Sequence, residues 1–249
     1  FQAEDGIRDS VASRGLGDVY KRQDMNYYAG VFNGSGRGEA NDDDQLMYMA
    51  RLQWNIFGRK LKWEQIDIKY HKRPAATLAI GGYTNVGKCT RWSSSGCGTL
   101  VQSSSLGSSF TSDSSAADGQ FKTEGMMQEF ALKYRGLNIQ EEMHWKQIKD
   151  NNPHSKTNLM GGYAVISYFP HYIVPAIPKP LNIAYRYSVV DPNTFDGSDK
   201  LHEHTVGMNW LFAGHRNKIT ADITHMMLEQ DAGNPLTEQR VRLQWDVSF

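Results

Sequence analysis

RVRLQWDVSF, residues 240–249, decides how the rest of the chain is read. Val241, Leu243, Trp245, Val247 and Phe249 alternate with Arg240, Arg242, Gln244, Asp246 and Ser248. Successive side chains of a strand point to opposite faces, so a period of two predicts a β-strand with one apolar and one polar face. Such a strand stands between two solvents. Its apolar face meets a protein core or lipid, and its polar face meets bulk water or a water-filled lumen.

The same alternation recurs upstream. Strands are predicted over 27–33, 46–57, 75–84, 123–135, 137–147, 181–190, 204–213 and 218–228, with a weaker case over 157–169. Tyr48, Leu52 and Trp54 oppose Arg51 and Gln53; Tyr185 and Tyr187 oppose Arg186; Trp210 and Phe212 share one face. Segments of about ten residues match a tilted strand that crosses a bilayer, whereas soluble strands run nearer five or six. Length therefore favours a transmembrane antiparallel β-barrel with about ten strands, an all-β fold. A secreted or surface β-sandwich that binds a partner and transports nothing is the rival, and it requires shorter strands and a second packed sheet.

Connections give an independent check. If the last strand runs towards the periplasm, Gly214–Asn217 and Arg135–Gly136 are inner turns. Residues 229–237, 191–202, 149–156, 85–121 and 33–45 are then outer loops. Barrels of this kind have short inner turns and long outer loops. Two inner connections break the rule: Gly58–Pro74 is long, and Pro170–Pro180 is not tight.

Composition excludes several classes. Lys plus Arg and Asp plus Glu both total 27, so there is no basic excess to attract nucleic acid. A mean hydropathy of −0.57 and the lack of an 18-residue apolar run exclude a spanning helix, but not spanning strands. Residues 1–23, FQAEDGIRDSVASRGLGDVYKRQ, show neither period and resemble translated sequencing-adapter sequence. They are set aside as non-native, and residues 24–249 are taken as the barrel.

The residues also carry a family resemblance. NWLFAGHRNKITADI (209–223), the terminal RLQWDVSF and the early YYAGVFNGSG (27–36) resemble the phosphate-selective porins O and P. That family implies a sixteen-stranded, homotrimeric barrel in the bacterial outer membrane that passes small anions, phosphate or polyphosphate among them. About ten strands then correspond to its C-terminal part. The alternating end with Trp245, Val247 and Phe249 resembles the signal read by the barrel-assembly machinery.

In such a pore an anion crosses when cationic side chains replace part of its hydration weakly and at several places. The phasing sends Arg51, Lys133, Lys146, Arg186, Lys218, Arg240 and Arg242 to the lumen, with Glu129, Glu142, Asp222 and Asp246. These cations either bind anions or form paired charges that hold the wall. Tyr48, Leu52, Trp54, Tyr185, Tyr187, Trp210, Phe212, Trp245 and Phe249 face outer-membrane lipid. The family's constriction loop follows its fifth strand, so its selectivity residues have no counterpart to transfer onto this chain.

Cys89 and Cys97 lie in a Ser/Gly-rich outer loop, where an exported chain favours a disulfide over free thiols. No metal site and no cofactor is expected. Asp42-Asp43-Asp44 lacks the Gly and Glu of a calcium loop, and His202 with His204 is too few ligands. No G-x-S-x-G, H-E-x-x-H or Walker loop occurs, and no enzyme is expected.

Overall fold

A computed structural model describes residues 24–35, 41, 43–57, 60–90, 92–93, 96–97, 116–151, 155–195, 197, 199–230 and 233–248. The set-aside residues 1–23 and the terminal Phe249 lie outside these. Ten strands form one sheet: β1 (Met25–Phe32), β2 (Met47–Asn55), β3 (Ala75–Gly87), β6 (Phe121–Tyr134), β7 (Leu137–Asp150), β8 (Ser155–Tyr168), β9 (Leu181–Asp191), β10 (Leu201–Leu211), β11 (Asn217–Leu228) and β12 (Leu236–Val247). Two short strands, β4 (Trp92–Ser93) and β5 (Gly96–Cys97), pair in the loop after β3. All pairings in this sheet are antiparallel and, apart from β3 with β6, which the β4–β5 pair separates, join chain neighbours. The outermost strands β1 and β12 do not pair with each other, so the sheet is not closed.

Burial is inverted relative to a soluble protein. The largest fully buried side chains include Lys133, Asn55, Asn85, Asn138 and Asn182. Val241 and Leu243 are 76% exposed, and Trp245 is 69% exposed. Water-soluble folds do the reverse, because buried polar groups cost free energy unless they are partnered. A continuous apolar face over a polar interior is the arrangement lipid demands. Among the described residues no second sheet covers the apolar face, so a sandwich core is missing. Strands reach fourteen residues in β6, β7 and β8, long enough to cross a bilayer at a tilt.

The strand predicted weakly over 157–169 is β8, Ser155–Tyr168. Its contrast is blurred because Gly162 and Ala164 occupy the apolar face while Val165 points inward and is buried.

Among the described residues, two small hydrophobic clusters are buried. Leu61 packs with Ala75 and Ala131, and Ile66 packs with Phe169 and Leu211. Both fasten the segment between β2 and β3. That explains its length: residues 60–74 are not a turn hanging in solvent but a strap folded across the inner face of the sheet.

Candidate functional site

The polar face carries the seven cations expected there, and their surroundings differ. Arg51 donates through Nε and Nη2 to Glu129 Oε2, at 3.1 and 2.5 Å, and through Nη1 to Gln53 Oε1 at 3.0 Å. This pair spans a strand. Arg51 is registered with Gly81 and Glu129 with Ala79, so the intervening β3 offers only small residues beneath the bridge. Arg242 donates through Nε to Asp222 Oδ2 at 2.8 Å, and Lys218 Nζ lies 3.6 Å from Asp246 Oδ2. The Arg186 guanidinium stacks 4.3 Å over the Tyr163 ring. Lys146 donates to the Thr90 carbonyl, which ties the long loop after β3 to the wall of β7. Arg240 is exposed and registered with Thr224 on the neighbouring strand. Lys133 is only 2% exposed.

Three of these cations thus sit against carboxylates, where they hold strands together. A paired cation attracts a passing anion far less than a lone one, because the partner cancels its field beyond a few ångströms.

The strap builds the other part of the site, at the short-turn end of the sheet. It crosses the inner faces of β6, β8 and β10 in turn. Ser167 Oγ donates to the Gln65 carbonyl at 2.8 Å, and His215 Nε2 lies 3.9 Å from Glu64 Oε2. Asp67, 1% exposed, accepts from the His71 backbone N–H at 3.0 Å and pairs with the His71 ring. The β6–β7 hairpin closes on Arg135 and Gly136, with φ of 48° and 84°, the conformation of a two-residue type I′ turn. Its two amides turn towards the strap: Arg135 N donates to the His71 carbonyl at 2.9 Å and Gly136 N to Asp67 Oδ2 at 2.9 Å.

The non-tight connection after β8 joins the same assembly. It forms a short 3-10 turn, Pro170–Tyr172, and the Tyr172 ring lies 4.4 Å from that of Tyr70. A Cβ on Gly136 would come within 2.6 Å of the Tyr172 ring, so glycine is needed there for space as well as for φ. Both connections that break the short-turn rule therefore do so for one reason: they pack together at the short-turn end of the sheet.

Lys60, Lys62, Lys69 and Lys133 line a recess under the strap with Glu64, Asp67 and His71. Lys133 makes no hydrogen bond or ion pair among the described residues, although the fields of Glu64 and Asp67 reach it. Burial holds the His215 imidazole, in the turn after β10, below its ordinary value; Glu64 opposes this, and Lys218 and Lys133 add to it. No group of three or more metal-ligating side chains occurs among the described residues.

Sequence reading placed the wall cations but missed the strap. Its local signal is Leu61, Trp63, Ile66, Ile68 and Tyr70 within a connection rich in charge. Cys89 is buried and disulfide-bonded; the Cys97 side chain lies outside the described residues.

The comparisons follow this geometry. The family model described as phosphate-selective porin O and P matches residues 101–244, more than half of the chain. The match covers β6 to β11 and β12 as far as Gln244, and leaves out the early 27–36 stretch and the last five residues. No curated protein and no solved structure matches.

Proposed function

The chain belongs to the phosphate-selective porin O and P family, and on that premise we propose that it lines a water-filled path for passive diffusion of small anions, phosphate or polyphosphate among them, across the bacterial outer membrane. The observation that carries the sign of the charge is Lys133. It is buried under the strap without an ion-pair partner, in a recess shared with Lys60, Lys62 and Lys69. A channel favours ions that its wall can partly resolvate without trapping them. Four lysines against Glu64 and Asp67 leave that mouth positive.

In this reading the strap narrows the periplasmic end, and Arg186, Arg240 and Lys146 supply weaker cationic steps along the wall. Arg51, Lys218 and Arg242 act chiefly in holding it. The sheet edge is completed by further strands, with residues 24–249 forming the C-terminal part of a larger barrel. Insertion by the barrel-assembly machinery through Trp245, Val247 and Phe249, assembly as a homotrimer, and a disulfide between Cys89 and Cys97 belong to the same proposal. So does the non-native origin of residues 1–23.

Planar-bilayer recording of the full-length protein in a potassium chloride gradient tests it. A reversal potential of the sign set by chloride, with conductance reduced by added phosphate, is expected. Cation selectivity, or no conductance, would overturn the anion reading while leaving the fold intact.

A further inference from the structure

The apolar face does not run the full height of the sheet. At the long-loop end it gives way to a row of lysines on three adjacent strands. Lys122 of β6 is registered with Lys149 of β7, and Lys149 with Lys156 of β8. Strict alternation puts all three on the same face as Met126, Trp145 and Met160, each four residues further into the sheet. The face is therefore the lipid-facing one.

Like charges placed directly opposite on adjacent strands are destabilising. Here three stand in line, and the neighbouring compensation is small. Glu124, on the same face, takes Lys122 at 2.9 Å and Lys149 at 3.3 Å. Lys156 has no partner among the described residues and is exposed. Three cations face one carboxylate.

Depth identifies what they meet. Four residues of tilted strand correspond to about 10 Å along the membrane normal. A tryptophan on a lipid-facing strand marks the interface between hydrocarbon and headgroups. Between Trp145 and the lysines the face is polar: Gln147 Nε2 donates to Asn158 Oδ1 at 2.9 Å on β7 and β8, and Glu124 stands in the same row on β6. Going outward, the order is hydrocarbon, indole, amides with the Glu124 carboxylate, and ammonium. This is the order in which a bilayer changes from acyl chain to charged headgroup.

We infer that Lys122, Lys149 and Lys156 bind the phosphate groups of an anionic lipid in the outer leaflet. Charge complementarity carries the assignment, since the row is cationic at the depth where lipid phosphates lie, and lysine serves phosphate as a mobile point charge. The inference takes from the proposed function only the membrane setting; anion selectivity of the pore does not enter it.

The test is native mass spectrometry of the full-length protein in detergent, titrated with diphosphoryl lipid A, with dephosphorylated lipid A, and with inorganic phosphate as competitor. Each lysine near a charged membrane surface contributes about a fivefold factor. The triple variant K122Q/K149Q/K156Q is expected to bind diphosphoryl lipid A on the order of a hundredfold more weakly. The single variant K149Q, which keeps two of the charges, should lose about fivefold. Dephosphorylated lipid A should bind the wild type no better than the triple variant binds the diphosphoryl form. Equal binding of both lipids, or wild-type affinity in K149Q and the triple variant, overturns the inference. Displacement by millimolar inorganic phosphate overturns the lipid assignment in favour of a free-anion site. Bilayer conductance is not read, so failure here and failure of the porin reading stay separate.

Discussion

The backbone N–H of Gly136 donates to the Asp67 carboxylate at 2.9 Å, so one buried side chain holds both the strap and the tip of the β6–β7 hairpin. Asp67 also accepts from the His71 backbone N–H at 3.0 Å. Hydrogen bonds to a charged acceptor contribute about 1.5–3 kcal/mol each when buried, and the donors are left unsatisfied if it is removed. Asp67→Ala is therefore expected to destabilise the strap by roughly 2–4 kcal/mol and to widen the mouth. Single-channel conductance should rise, and amide exchange over residues 60–74 should quicken. Faster exchange at unchanged conductance would show that the strap is not the narrow point.

Arg51 and Glu129 distinguish a wall charge from an anion site. Their bridge crosses β3 over Gly81 and Ala79, and the two side chains are only 24% and 18% exposed. Glu129→Gln removes the carboxylate while preserving its shape. It should release the guanidinium to the lumen and raise the chloride-to-potassium permeability ratio by about two- to fivefold, a change worth up to 1 kcal/mol. Arg51→Gln should lower the ratio by no more than a similar factor, because it leaves the Glu129 carboxylate uncompensated beside the path, and combining the two substitutions should return it near the wild-type value. A larger loss in Arg51→Gln than gain in Glu129→Gln would mean that the arginine contacts the ion despite its partner.

These two relationships show what the sequence could and could not disclose. Alternation along β2 and β6 places Arg51 and Glu129 on the polar face, because facing depends only on the period within one strand. Their contact depends on the register across a third strand, which no local pattern encodes. The strap is harder still. Leu61, Ile66 and Asp67 are held by Ala131, the Gly136 amide, Phe169 and Leu211, residues from three distant parts of the chain. The excess length of 58–74 could be read in the sequence as an anomaly; its reason is tertiary.

The inverted burial gives a direct test of the membrane face. Ile223 is 54% exposed at the middle of the outward stripe Ile219–Met227 of β11. In a water-soluble sheet an exposed isoleucine tolerates arginine. On a lipid face near the midplane, arginine costs about 2–4 kcal/mol. Ile223→Arg should lower the folding free energy into lipid vesicles by that amount, measured by denaturant titration. A neutral effect would place water against β11 and remove the case for lipid there.

Acidification should loosen the mouth, and the sign follows from His215. Burial lowers its folded value below the ordinary imidazole range, and Lys218 and Lys133 add to the lowering against Glu64. A base whose folded value is depressed binds its proton more readily when released from its setting. Its contribution to stability is then present above the ordinary value of about 6.5 and is lost as pH falls from there through the lowered value. The turn after β10 and the strap beside it should open on going from about pH 7.5 to 5, seen as faster amide exchange over residues 60–74 and 213–216. His215→Gln carries no titrating group and should flatten that dependence, whereas at pH 7.5 it should match the wild type. A pH dependence that survives the substitution would move the effect to another group in the mouth, with His171, which burial and Lys179 also hold below the ordinary value, the next to replace.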